Sequence, residues 1–382
     1  ANDNSDVLTL DESGNATFGG TVAGTSFNGI PFFSDATNGS LYTHDVSGTD
    51  STAQKNAAYG FNAMDAITTG DKNVAIGYEA GTAINTGVQN TALGARTLQA
   101  NTTGADNVAI GYQALFTNVD GSRSIAIGTN ALLAQEPSSA TEMHNVAIGY
   151  NAGAAITSGT DNTLIGGIAG DSLTTGAFNV AIGRSALQAE DAHGRNVAVG
   201  YSALATQNAG ADAHNVAVGF QAGLNVTTGV ENNLFGSLAG DALTTGSYNV
   251  AIGKASLSAE DTGSRNVAIG SRALTSLNYD GNGYNIAIGY DAGLEMTTGV
   301  ENVIMGGLAG DALTTGIRNV AIGYQALSAE DTHHYNVAIG YRSLQSQNAG
   351  ANAYNVAIGA DAGRAITTGK ESVIIGGLAG DA

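Results

Sequence analysis

The sequence predicts an all-β fold, a parallel β-solenoid or β-roll built from rungs of about 17 residues and grouped into a 70-residue superperiod. Three observations carry the prediction. NVAIGYQAL occupies Asn107 to Leu115 and returns unchanged at Asn319 to Leu327, with close variants almost everywhere between. Aligned on its glycine, the chain shows nineteen anchors from Gly60 to Gly376, mostly 17 residues apart. Every fourth step is longer: 21 residues from Gly128 to Gly149, then 19 from Gly200 to Gly219, Gly270 to Gly289 and Gly340 to Gly359. Two nested periods of this length mark a stacked repeat, and 17 residues are too few for a helical hairpin unit. Each unit carries β-branched residues in period-2 alternation followed by a turn glycine, the pattern of one short strand per rung.

The elements follow in order. Residues 1–30 read as a short β segment with a turn at DESGN, and the turn-rich residues 31–55 read as a linker or cap. Residues 56–382 form the repetitive roll of nineteen rungs. Its first rung, NAAYG, is atypical, as an end rung is expected to be. The final IIGGLAGDA matches the start of IMGGLAGDALTTG at Ile304 to Gly316, so the roll is expected to be truncated at its C-terminal end.

Within a rung, Val108 and Ile110 point to one face of the strand and Ala109 to the other. The larger pair is expected to fill the rung's interior, which leaves the alanine column facing outward. That column is Ala in fifteen rungs and Leu164, Leu234, Ile304 and Ile374 in the rest. A strand apolar on both faces is buried on both, so the outward column is expected to form a seam with other chains through Ala109, Ala147, Leu164, Ala217, Leu234, Ala287, Ile304, Ala357 and Ile374. Asn opens 17 of 19 strands, among them Asn107, Asn145, Asn215, Asn285 and Asn355, and is expected to form a structural side-chain ladder.

Composition excludes several functions. The formal charge is −20 with only 13 Lys and Arg, which argues against nucleic acid and anionic membrane surfaces. No cysteine is present, so disulfides and thiolate metal sites are out. No apolar run approaches a membrane span, so no membrane insertion is expected, and the opening ANDNSDVLTL lacks the regions of a signal peptide.

The NVAIG-type repeats resemble the head repeats of trimeric autotransporter adhesins, whose strands form a left-handed parallel β-roll with three chains about one axis. Longer units such as NTALGARTLQANTTGADNVAIGYQAL, at Asn90 to Leu115, are similar to repeats of phage tail fibres, as is LTLDESGNATFGGTVAGTSFNG at Leu8 to Gly29. The resemblance implies an intertwined or axis-packed homotrimeric fibre and an extracellular place on a virion tail fibre or, alternatively, a bacterial cell surface. The chain departs from the shorter autotransporter repeat in its 17-residue rung and 70-residue superperiod.

No catalytic constellation is evident: TTGKES at Thr367 to Ser372 lacks phosphate-loop spacing, and the six His do not fall at metal-ligand spacings. The chain therefore reads as non-enzymatic. Acidic pairs recur once per superperiod, at Glu190 and Asp191, Glu260 and Asp261, and Glu330 and Asp331. They read first as solvated turns, and as calcium ligands in the one cofactor reading the sequence offers. Nine rungs place an aromatic after the glycine, Phe61 and Tyr78 among them, which reads as corner packing ahead of sugar stacking. Recurrent TTG raises ice binding, but the AED and QNAG rungs interrupt any threonine array. The four-rung insertions, 205–214, 275–284 and 345–354, are expected to bulge outward, with Asn208, Tyr279, Asp280 and Asn348 as receptor-contact candidates.

The function expected from these observations is a structural fibre protein for attachment, a phage tail fibre shaft or head contacting a host-surface glycan or protein receptor. A bacterial trimeric adhesin is the alternative, and a glycan-degrading fibre enzyme whose active domain lies outside this sequence is the third.

Overall fold

In the computed structural model, the described residues are 52–381, residues 40–42, and the backbone of short strands between residues 8 and 35. Nineteen three-residue strands, from Ala57–Tyr59 to Val373–Ile375, stack in one parallel ladder. Each pairs in register with the rung before and after, Ala109 with Ala92 on one side and Ala126 on the other. At about 4.8 Å per rung the ladder is roughly 90 Å long. No helix occurs among the described residues, and none is long and apolar enough to cross a membrane.

At the N-terminal side Leu8–Leu10 pairs antiparallel with Ala16–Phe18, and the turn expected between them lies outside the described residues. Phe33–Asp35 pairs antiparallel with Ser40–Tyr42, which in turn lies parallel to the first rung through Leu41 and Ala57. Ser40 Oγ accepts the Asn56 N–H at 3.1 Å, and Tyr42 is buried against the roll, so this strand caps the first rung.

The rungs stay in register because their turns are as repetitive as their strands. The NVAIG glycine has φ between +120° and +146° throughout, a region that residues with a side chain rarely enter. A Cβ at Gly60 would also lie 2.3 Å from the carbonyl oxygen of Gly77, so stacking alone forbids a side chain there. Outside the strands the backbone bonds continue from rung to rung, as from Leu115 N–H to Ala131 O at 3.0 Å.

The facing of the strand is the reverse of the expectation. Ala109, Ala147, Leu164, Ala217, Leu234, Ala287, Ile304 and Ala357 are 0% exposed within a single chain, and Ile374 packs partly buried against the same core. Val and Ile on either side of them look outward, as in Val74–Ile76, whose ends are half-buried and exposed around a buried Ala75. The predicted alanine seam is thus the inner lining of the rung. The rung is narrow, so the strand meets the buried residues that follow the glycine, such as Ala114 and Leu115, with only a small side chain between.

Where that inner residue becomes large, space is made elsewhere. The rungs of Leu164, Leu234 and Ile304 carry Gly170, Gly240 and Gly310 six residues on, and the rungs before them carry Gly153, Gly223 and Gly293, where most other rungs carry a leucine such as Leu115, Leu187 or Leu257. A Cβ at Gly240 would lie 2.9 Å from Leu234 Cδ2 and 2.8 Å from Leu243 Cδ1. Each large inner residue is thus accommodated by glycine in its own rung and in the rung before it, as close packing requires.

Candidate functional site

Three features of the roll can carry function: the outward strand face, a buried polar column, and the corners where the long rungs insert.

The third residue of every strand is apolar and faces outward, and the first is Val or Ile in all but four rungs, which have Ala57, Thr91, Thr163 and Asn233. No charged residue occupies either outward strand position in any of the nineteen rungs, in a chain with 33 acidic residues. Ile76, Leu93, Ile125, Ile182, Ile252, Ile286 and Ile358 are 37 to 42% exposed, and Phe235 and Met305 continue the stripe. Exposed apolar patches of this extent are the kind of surface through which proteins associate.

Behind the strand lies the asparagine column. Asn107 Oδ1 accepts the Ser124 N–H at 2.9 Å, while its amide donates to Gly121 O at 2.9 Å. Asn145 repeats both contacts, to Asn162 N–H and Gly159 O, and Asn215 donates to Gly229 O at 2.7 Å. Asn285 and Asn355 do the same with Gly299 O and Gly369 O. The side chains therefore tie one rung to the backbone of the next more than to each other, and all five are buried.

A second buried column was not legible as such. Ile156, Leu173, Val226, Leu243, Met296 and Leu313 fill one interior position, and the same position holds Gln135, Glu190, Gln207, Glu260, Glu330 and Gln347, all 0% exposed. The glutamates of the acidic pairs are thus not solvated turn residues. They point inward, while Asp191 and Asp331 stay outside. Alignment of Glu190 with Ile156 and Leu173 is the signal that would have revealed it. Burial pushes the Glu190 carboxyl above its ordinary range and the Glu260 carboxyl up to about 7. Glu260 is held by the N–H groups of Gly263 at 2.7 Å and Tyr279 at 3.3 Å.

At the corner outside Glu190 and Glu330 the chain places His193 and His333. Glu190, Asp191 and His193 each offer one donor atom within 4.8 Å of the other two, and Glu330, Asp331 and His333 do the same. The spacing Glu-Asp-x-His matches no fixed metal-ligand motif, so the sequence alone does not single these histidines out. The third acidic pair, Glu260 and Asp261, has Gly263 in place of the histidine.

The insertions lie one rung further on. Asn208 and Asn348 are exposed, their N–H groups bonded to Thr227 O and Thr367 O at 2.9 and 2.8 Å. Asp280 is exposed and accepts from Thr262 Oγ1 at 2.7 Å. Tyr279 differs from the expectation: it packs partly buried against the core, because Leu277 anchors its loop inside the rung. The corner aromatics are exposed yet stacked on each other, Phe61 on Tyr78 with centroids 6.0 Å apart and Tyr324 on Tyr341 at 5.8 Å. Thr227 and Thr297 direct their hydroxyls at carbonyls of the next rung, at 3.1 and 3.2 Å, which removes them from any outward threonine array.

No protein-family model matches the chain, and comparison with curated proteins gives no match.

Proposed function

We propose that the chain is the shaft or head of a homotrimeric extracellular attachment fibre, in which three copies pack in parallel through their outward Val and Ile faces. The observation that supports this reading is the uncharged outward face, on which the third strand residue is apolar in all nineteen rungs and only Thr91, Thr163 and Asn233 are polar at the first. Its occupant must present apolar groups at the same axial repeat over the same length. A second copy of the chain does so rung for rung, and the resemblance of the repeats to trimeric rolls favours three copies. Such an arrangement removes the stripe from water and leaves the corners, with their stacked aromatics and insertion loops, on the outside. Three arrays of weakly binding loops at regular spacing suit multivalent contact with a repetitive host-surface glycan. A phage tail fibre is the first reading and a bacterial surface adhesin the second.

The experiment is the mass of the purified chain by light scattering or sedimentation, coupled to adsorption of the protein to candidate host cells. A mass of three chains and saturable adsorption support the proposal. A stable monomer overturns the assembly, and an assembled protein without adsorption to any host surface overturns the attachment role.

A further inference from the structure

The two Glu-Asp-x-His corners have a composition that a solvated turn does not need. In each, a carboxylate is sealed inside the rung, a second carboxylate stands at the surface and an imidazole closes the turn between them. Glu190 and Glu330 are 0% exposed, and in each the Oε2 atom has no hydrogen-bond partner. The other oxygen accepts the N–H of the histidine three residues on, at 3.2 Å in both repeats. His193 Nδ1 is itself buried and without a hydrogen bond, 3.6 Å from Glu190 Oε1. In the second corner His333 Nδ1 is hydrogen-bonded to Glu330 Oε1 at 2.6 Å and lies 3.8 Å from Asp331 Oδ1, so an ion there replaces that hydrogen bond. Orphaned buried acceptors of this kind are costly unless something supplies the missing partner.

We infer that Glu190, Asp191 and His193, and again Glu330, Asp331 and His333, are two binding sites for a divalent transition-metal ion of the zinc and cobalt class. Two carboxylate oxygens and one imidazole nitrogen match the donors such ions take, and hard ions such as calcium are served by oxygen alone. The donors already converge to within 4.8 Å. The aspartates are 45% exposed at Asp331 and exposed at Asp191, which leaves each site an open side for entry and for water as further ligands. An ion there compensates the charge of a carboxylate that is fully buried and only partly hydrogen-bonded. It also ties the corner to the neighbouring rung, since Asp191 O and Asp331 O accept the N–H groups of Thr174 and Thr314 at 2.6 Å.

The middle superperiod supplies an internal control. Glu260 and Asp261 are followed by Thr262 and Gly263, and a Cβ at Gly263 would fall 2.4 Å from the Glu260 carboxyl, so the turn closes without a donor side chain. This corner lacks the imidazole and is assigned no ion. The inference does not depend on the assembly or on the attachment role.

The test is metal titration of the untagged full-length chain after chelator treatment, with zinc chloride, cobalt chloride and calcium chloride as probes. Elemental analysis and calorimetry are expected to give two zinc ions per chain, cobalt to give a visible ligand-field band, and calcium to give no saturable heat. His193→Asn and His333→Asn are each expected to bind one ion, and the double variant none, with circular dichroism measured alongside so that loss of binding is separated from loss of fold. Zinc is expected to raise the melting temperature of the wild type and not of the double variant. Absence of saturable zinc binding, stoichiometry unchanged in the double variant, or a third ion at the Glu260 corner overturns the assignment.

Discussion

A Cβ added to Gly153 would lie 2.7 Å from Cδ1 of Leu164 in the next rung, so the glycine of one rung is the space that the leucine of its neighbour fills. The same relation joins Gly223 to Leu234, again at 2.7 Å. Leu234→Ala leaves a cavity in a fully buried site and is expected to cost about 2–5 kcal/mol. Gly223→Ala overpacks the same space and is expected to cost about 1–3 kcal/mol. In the double variant the added methyl occupies part of the cavity, so the two costs should sum to more than the measured loss. Urea unfolding of the four proteins checks this. Strict additivity would mean that the two positions do not share a space.

Neighbouring residues of one strand should answer differently to the same charge. Ala287 is 0% exposed and Ile286 is 38% exposed. Ala287→Asp buries an uncompensated carboxylate inside the rung, at a cost of several kcal/mol. Its expected result is a local loss of the ladder, seen as reduced β signal and a lower melting temperature even in dilute protein. Ile286→Asp leaves the rung intact and places charge on the outward stripe, so mass should fall toward that of one chain while circular dichroism is retained. Equal effects of both substitutions on secondary structure would contradict the assigned facing of the strand.

How much of this was readable beforehand differs by column. The rung length, the strand in each rung and the required glycine follow from the repeat itself, because only one register aligns Gly60 through Gly376. The inside of the strand did not follow. Period-2 alternation says that Val108 and Ala109 face opposite ways, but not which way is inward, and residue size pointed to the wrong side. The informative pattern is that glycine replaces the usual leucine in the rungs of Leu164, Leu234 and Ile304 and in the rungs just before them, at Gly153, Gly223 and Gly293, since only a closed interior must make room for a larger side chain. Glu190 was hidden for a related reason: a charged residue in a turn-like segment reads as solvated unless its column is compared with Ile156 and Leu173.

The asparagine column should be intolerant of apolar replacement although it touches no ligand. In Asn107→Ala the Ser124 N–H and the Gly121 carbonyl each lose the side-chain partner that Asn107 gives them. Each buried unpaired group costs about 1–3 kcal/mol. Gly121 O still accepts from Asn118 Nδ2 at 2.8 Å, so the loss should lie at the lower end, about 2 kcal/mol in all. Chemical denaturation measures it, and hydrogen exchange should show faster opening confined to the rungs beside Asn107. A neutral substitution would mean that the backbone ladder alone holds the register.

Glu260 makes the stability of the rod depend on pH in the direction opposite to that of a salt-bridged carboxylate. Burial is the largest cause of its raised pKa, with the charge of Asp261 adding to it and the N–H groups of Gly263, Tyr279 and Asp261 opposing it. The next rung sets Leu277 in the column where the other two repeats follow their glutamate with Gln207 and Gln347, so the neighbour in that column is apolar here and an amide there. Its pKa rises from 4.5 to about 7 on folding. The folded chain therefore holds a proton between these values that the unfolded chain has released. The stabilisation is fully present below pH 4.5 and is lost as pH rises through about 7. At about 1.4 kcal/mol per pH unit the loss amounts to about 3 kcal/mol. Glu260→Gln removes the titrating group and keeps the shape, since Gln135, Gln207 and Gln347 already occupy equivalent interior positions. The variant should match the wild type near pH 4.5 and exceed its stability at pH 8, with the difference opening between these limits. Unfolding free energies measured across that range decide it, and a difference that stays constant with pH would show that Glu260 remains charged inside the rung.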